Sequence, residues 1–303
     1  MIKIKKLNIK QEILLYCILI LLIASLVIFA RFFSFRTLKF ESFKSSPNTP
    51  LMKSNFKLDH KREEMLKNGG FLLVDNNVVC AGKTKIRLFD NSNIGVFEKI
   101  FVNSNYEIEL PKNKKFAFFD IGCNVGMASL FASQKSEISK IYAFEPFAFS
   151  VKRAAENFNL NPDLSSKIKL FNFGLSDQDK DVVCSFPVGF SASASTHFSL
   201  DGGKKEKVSL KKASTFLKEI INQECKNEKI ILKIDCEGAE YEILPDLDKA
   251  GILKKVDLLF LEWHLEGSTI IRDILSKNDF IFIEKVRGST EKYGEITAVR
   301  CKK

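Results

Sequence analysis

The stretch FAFFDIGCNVG, Phe116 to Gly126, decides the fold. It begins as an unbroken apolar run, the length of a strand buried on both faces. Gly122 and Gly126 then mark a tight turn, and the residues through Ser133 read as a helix opened by that turn. A strand, a glycine turn and a helix in this order bring backbone N–H groups and a helix N-terminus against a ligand. The dinucleotide fingerprint would need glycine at 124 and a small residue at 127. The chain has Asn124 and Met127, so the turn suits a nucleoside without a pyrophosphate better than NAD.

The same alternation repeats on the C-terminal side. IYAFEP is a second strand, followed by a helix from Phe149 to Asn159, and KIKLFNFGL is a third strand. After an irregular stretch, a helix over Ala213 to Gln223 precedes the strand KIILKID. A helix over Tyr241 to Lys249 precedes DLLFLEW, and one over Ile270 to Ser276 precedes FIFIEKV and ITAVRC, which are expected to close the sheet as a hairpin. Continuous apolar strands separated by helices predict an α/β fold whose mostly parallel sheet is covered on both faces. On the N-terminal side, Asp59 to Asn68 reads as a short helix closed by Gly69 and Gly70. Phe71 to Leu110 then carries five β-like pieces, FLLVD, NVVCA, KIRLF, EKIFV and YEIEL, a small β-rich lead-in.

Ligands of such folds sit at the carboxyl ends of the strands. Glu145 ends IYAFEP, 23 residues after Gly122, where an acid can accept both hydroxyls of a ribose. KIDCEGAEYEIL, Lys233 to Leu244, packs Asp235, Glu237, Glu240 and Glu242 into eight residues at another strand end, which is costly unless something uses them. Asp235 and Glu237 alternate with Cys236 and so share a face, while Glu242 reads as a solvated helix-start charge and Glu240 as either that or a buried structural acid. In LEWH, Glu262 and His264 likewise share a face. The small polar run GFSASASTH, Gly189 to His197, is either a mobile lid or a plain surface loop.

The first 44 residues are a separate unit. Ile13 to Ala30 has no charge in 18 residues, and as a helix it would be about 27 Å long, close to the hydrocarbon thickness of a bilayer. Arg31 and three phenylalanines follow it, as suits an interface. A single-pass N-terminal membrane anchor is therefore expected, with membrane lipid as its partner. The positive-inside count ties at four Lys/Arg on each flank and leaves the side of the membrane open. Residues 45–58 read as a linker, 59–110 as the lead-in and 111–303 as the main domain. Six of the ten net positive charges lie in residues 1–44, so bulk charge does not argue for a nucleic-acid partner. The seven cysteines show no CxxC pair and no Cys/His metal spacing, and no metal site is expected.

DIGCNVG, FEP, NFGLSD (Asn172 to Asp177), VSLKKASTFL, KIDCEGAEYEIL and LEWH, in that order, resemble the FkbM family of S-adenosylmethionine-dependent methyltransferases. The resemblance covers roughly residues 90–285. It implies a class I methyltransferase fold, Rossmann-like, with a seven-stranded sheet whose last strand is antiparallel. It also implies S-adenosyl-L-methionine as cofactor and a hydroxyl acceptor on a sugar, glycan or small natural product. Carried over by position, Asp120, Gly122, Cys123, Asn124 and Gly126 would hold the cofactor's amino-acid end and its turn. Glu145 and Pro146 would flank the ribose, Asp177 would lie near the adenine, and Asp235 would face the transferred methyl group. Asp235, Glu237 and His264 are then the candidates for the base that takes the hydroxyl proton. Cys236 departs from the valine of many relatives. Three other readings stand beside this one: a scaffold that kept the fold and lost turnover, an RNA or amine methyltransferase, and an NAD oxidoreductase. Asp-Cys-Glu-Gly, where amine methyltransferases often carry Asn/Asp-Pro-Pro-aromatic, counts against the second.

Overall fold

Phe116–Ile121 is buried along its whole length, and the other layers of the protein are built around it. The computed structural model describes residues 56–75, 77–186, 195–196, 204–289 and 291–301, all of them in one compact unit. Ile13 to Ala30, most of the linker, and GFSASASTH apart from Ser195 and Thr196 lie outside the described residues. Among the described residues no helix is long and apolar enough to cross a membrane.

The chain begins with helix α1 (His60–Asn68) and the antiparallel sheet β1 (Leu72–Asp75), β2 (Val78–Ala81) and β3 (Thr84–Arg87). Helix α2 (Asn91–Phe97) runs straight into a π-helical turn, Glu98–Val102. Then come β4 (Phe116–Ile121), α3 (Met127–Ser133), β5 (Ile138–Phe144), α4 (Ala148–Asn159), α5 (Pro162–Ser165) and β6 (Ile168–Phe171). A small excursion follows as β7 (Gly174–Ser176), β8 (Lys180–Phe186) and β9 (Lys204–Lys212). The rest is α6 (Ala213–Glu224), β10 (Lys229–Ile234), α7 (Glu240–Lys249), β11 (Val256–His264), α8 (Thr269–Lys277), β12 (Phe280–Arg287) and β13 (Tyr293–Arg300).

The main sheet has seven strands in the order β12-β13-β11-β10-β4-β5-β6. Its central neighbours are parallel, and β13 alone runs antiparallel to both β11 and β12. That is the expected class I methyltransferase architecture, with the expected hairpin. One face packs Phe119, Tyr142, Leu232, Leu259 and Trp263 against the apolar stripes of α6, α7 and α8. On the other side of the fold, the lead-in residues Val79, Ile86 and Phe97 pack against Met127, Leu130 and Phe158 of α3 and α4. Gly294 is a packing requirement of β13, because a Cβ there would run into the Trp263 ring.

Four sequence expectations are corrected. EKIFV is helical, not a strand: Asp90 accepts hydrogen bonds from the backbone N–H groups of Ser92 and Asn93 and caps the helix. Ile94, Phe97 and Ile100 then bury at a spacing of three, the helical period rather than the strand's. YEIEL alternates like a strand, yet Tyr106, Ile108 and Leu110 pack against the sheet as an irregular segment with no ladder. KIKLFNFGL is two strands in two sheets. Asn172 at the break donates from its amide nitrogen to the carbonyls of Glu145 and Pro146, and β7 leaves to pair with β9. The stretch read as irregular after it contains β8 and β9.

Asp120 of β4 and Lys233 of β10 are direct partners in the ladder, both buried, with Nζ 2.9 Å from Oδ1. Ser129 donates to the other oxygen at 2.7 Å. Burial disfavours the charge on Lys233, yet Asp120 and Asp235 hold its ammonium above the ordinary value. Lys233→Met should lower stability by about 3–5 kcal/mol, because it strands a buried carboxylate. Asp120→Asn with Lys233→Met should regain much of that in a double-mutant cycle followed by urea unfolding. Additive losses would show that the two side chains do not act as a pair.

Candidate active site

A cavity of about 450 Å³ opens at the carboxyl ends of β4, β5, β10 and β11. Its floor is the turn after β4. Gly122 has φ 78°, and a Cβ there would run into the carbonyl oxygen of Asp235 on the next strand. Only glycine allows β4 and β10 to approach so closely at their ends. Gly126 has φ 80° and sits against the Phe158 ring. Between them Asn124 also takes a left-handed conformation, and its Oδ1 is buried with no hydrogen-bond partner among the described residues.

Glu145 stands at the end of β5, beside this turn and almost fully buried. Its carboxylate accepts the N–H of Asn124 at 2.9 Å and that of Phe147 at 3.1 Å. Burial pushes it up to about 7, and the two backbone donors only temper that shift. Each oxygen keeps a lone pair for a ligand in the cavity.

Across the cavity lies a denser set of charges. Asp235 is 3.2 Å from the ammonium of Lys99 and 3.5 Å from the hydroxyl of Tyr106. Burial opposes its charge, but Lys99, Lys233 and His264 hold it well below the usual carboxylate range. Lys99 also bonds Glu262, and Arg287 bridges Glu262 and Glu295. Burial pushes the Tyr106 phenol up to about 12. Glu237, half-buried with φ 51°, is pushed up to about 7 by burial, a shift that His264 opposes and Asp235 reinforces. Next to it His264 is held by Glu240, which is fully buried. One Glu240 oxygen takes the His264 backbone N–H at 2.7 Å and its Nδ1 at 3.0 Å, and the other takes the N–H of Gly238. Burial works against a charged imidazole, but Glu240, Glu237 and Asp235 outweigh it and raise His264 to about 9.

The structure thus brings Gly122, Cys123, Asn124, Glu145, Pro146, Asp235 and Glu237 to one cavity, with His264 directly behind Glu237. It does not bring Asp120, Gly126 or Asp177 there. Asp120 faces inward to Lys233 and Ser129. Asp177 is exposed on the rim of β7, where Ser176 donates to it. Glu240 is a buried structural acid. Glu242 is not a free solvated charge, since it accepts from Ser176 and pairs with Lys180 at 2.8 Å, tying α7 to the small sheet. Lys99, Tyr106 and Arg287 carry no motif that marks them in the sequence. Lys99 is hidden because EKIFV looks like a strand; the Asp90 cap and the spacing of Ile94, Phe97 and Ile100 are the signals that could have exposed it.

Several known proteins are similar to this chain. Methyltransferase sdnD of Sordaria araneosa is 27% identical over 233 residues, covering 68% of this chain and 89% of that protein. Methyltransferase 1 of Beauveria bassiana is 26% identical over 204 residues, covering 61% and 75%. AMB antimetabolite synthetase AmbE of Pseudomonas aeruginosa is 25% identical over 227 residues, and this chain spans only 10% of its length. Among solved structures, methyltransferase FkbM from Methylobacillus flagellatus aligns with a TM-score of 0.40 at 14% identity, over 70% of this chain and 56% of that one. The putative tRNA (m1A22) methyltransferase Sp1610 of Streptococcus pneumoniae, solved with S-adenosyl-L-methionine, aligns at 0.37 and 15%, over 62% and 66%. The family model for the methyltransferase FkbM domain matches residues 120–282, more than half of the chain. The chain belongs to the FkbM methyltransferase family.

Proposed function

We propose that the protein methylates a hydroxyl group of a sugar, glycan or small natural product. The observation that carries this reading is the meeting, in one cavity, of a nucleoside-sized cradle and a proton acceptor whose affinity lies near neutrality. The methyl donor in this reading is S-adenosyl-L-methionine, and the chain's residues fit it. The unpartnered Asn124 Oδ1 and the open turn at Gly122 suit its amino-acid end, and Glu145 suits its ribose. When bound, the donor supplies an electrophilic methyl group on a sulfonium sulfur.

The chain's own contribution is orientation and proton handling. Transfer is an in-line displacement, helped mainly by holding the reactants in place. Asp235, kept ionised by Lys99 and Lys233, is a fixed negative charge suited to a cationic donor and a poor proton acceptor. Glu237, pushed up to about 7, matches the task of taking a hydroxyl proton near neutral pH. His264, raised to about 9, carries its proton at neutral pH and supplies positive charge 3.7 Å from Glu237 rather than acting as the base. The uncharged run Ile13 to Ala30 supports a further reading, that this activity is tethered to a membrane.

Three outcomes test the proposal. Affinity for S-adenosylhomocysteine should be flat above about pH 7 and fall up to tenfold per unit below it, because protonated Glu145 no longer accepts both ribose hydroxyls. Calorimetry should show Glu145→Gln binding more weakly and without that slope; an unchanged slope removes Glu145 from the site. Asp235→Asn and Glu237→Gln should keep the fold and most cofactor affinity but lower single-turnover methyl transfer by about 100-fold or more. Wild-type rates in both would make these carboxylates structural. Finally, the full chain should stay in the membrane fraction after an alkaline carbonate wash, and release by the wash would refute the anchor.

A further inference from the structure

We propose that Asp235, Glu237 and His264 form a divalent-cation site whose open positions take two adjacent oxygens of the acceptor, as in a vicinal diol or an α-hydroxy acid. The choice of acceptor rests on the methyltransferase reading above; the cation site does not. One ligand atom from each of the three residues lies within 4.8 Å of the others. Direct hydrogen bonding does not account for this spacing. His264 Nε2 is 3.7 Å from Glu237 and 3.8 Å from Glu262, beyond hydrogen-bond reach of either. Ligands each about 2.1 Å from a shared cation are themselves roughly 3–4 Å apart.

The imidazole is set up for the role. Its side chain is only 5% exposed. Glu240 accepts at Nδ1, which fixes the ring and leaves Nε2 toward the carboxylates. A carboxylate on the far nitrogen is the arrangement that orients metal-ligating histidines and raises their basicity. A cation here takes the place of the Nε2 proton. Two carboxylates with one imidazole suit Mn2+ or Zn2+. Three protein ligands leave positions open, as in sites that bind substrate at the metal. Glu237 can ligate through Oε1 and keep its other oxygen for the acceptor's proton, so its two roles are compatible. Lys99 is the competing cation on Asp235, and its bonds to Glu262 and Glu295 give it somewhere else to rest.

The test uses the full chain and MnCl2 alone, read by the electron paramagnetic resonance of free Mn2+, with Zn2+ as competitor. One Mn2+ should bind per chain and be displaced by Zn2+. Asp235→Asn and His264→Gln should each weaken binding at least about tenfold, and Glu240→Gln, which touches no cation, should weaken it about 10–100-fold through the loosened ring. Lys99→Met should strengthen it. Circular dichroism identifies any variant that fails to fold, and the folded variants then decide the question. If neither metal binds while S-adenosylhomocysteine does, or if folded Asp235→Asn and His264→Gln bind Mn2+ like the wild type, the cation site is refuted and the methyltransferase reading stands. If Mn2+ binds and S-adenosylhomocysteine does not, the cation site stands and the methyltransferase reading falls.

Discussion

The pairing of Asp120 with Lys233 underlies the rest of the molecule. Two opposite charges are buried on adjacent strands, with Lys233 lining the ligand cavity and Asp120 behind it. Such a pair gains little net stability over apolar residues of the same shape, because desolvation offsets most of the attraction. What it does is fix positions. Lys233 also donates to the carbonyl of Gly122 at 2.7 Å, so it holds the glycine turn from beneath. Ser129 ties the same carboxylate to the helix that the turn opens. Register, turn and helix are locked by one charged centre, and the close approach of Gly122 to Asp235 follows from it.

The acceptor side obeys a related rule at larger scale. Lys99 and Arg287 sit among Asp235, Glu262 and Glu295, so charges of opposite sign alternate across the wall. Each acid has more than one partner, so the set behaves as a network rather than as separate bridges. The alternation also sorts the acids by proton affinity. Asp235, close to two lysines, stays ionised, while Glu237, which burial raises and His264 lowers, rises to about 7. Two carboxylates two residues apart thereby acquire different chemistry from their surroundings.

Much of this was legible in the chain. Buried parallel strands are continuous apolar runs, so β4, β5, β10 and β11 announce themselves, and Gly122 with Glu145 marks the cradle at their ends. Long-range charge pairing was not legible. A lysine inside KIILKI gives no sign that its partner is Asp120, and Glu242 looks solvated until Lys180 arrives from a strand hidden in an apparently irregular stretch. Lys99 was not legible either, because β-branched and aromatic residues in EKIFV favour a strand locally, and tertiary packing overrides that preference. Asp235, Glu237 and His264 could be grouped through the family resemblance, but their metal-ligand spacing could not be read, because Asp235 and His264 come from two strand ends far apart in the chain.

Strand β13 follows β12 in the chain but lies between β12 and β11 in the sheet. It therefore enters a gap between two elements already made. During synthesis β11 remains an open edge until Tyr293–Arg300 has left the ribosome, and its ladder cannot close by simple hairpin zipping alone. Glu295 is carried on that strand, so the anchor for Arg287 arrives after the cradle around Gly122 and Glu145 has its strands in place. The acceptor wall therefore depends on the last strand of the chain, whereas the cradle around Gly122 and Glu145 is built from strands that precede it.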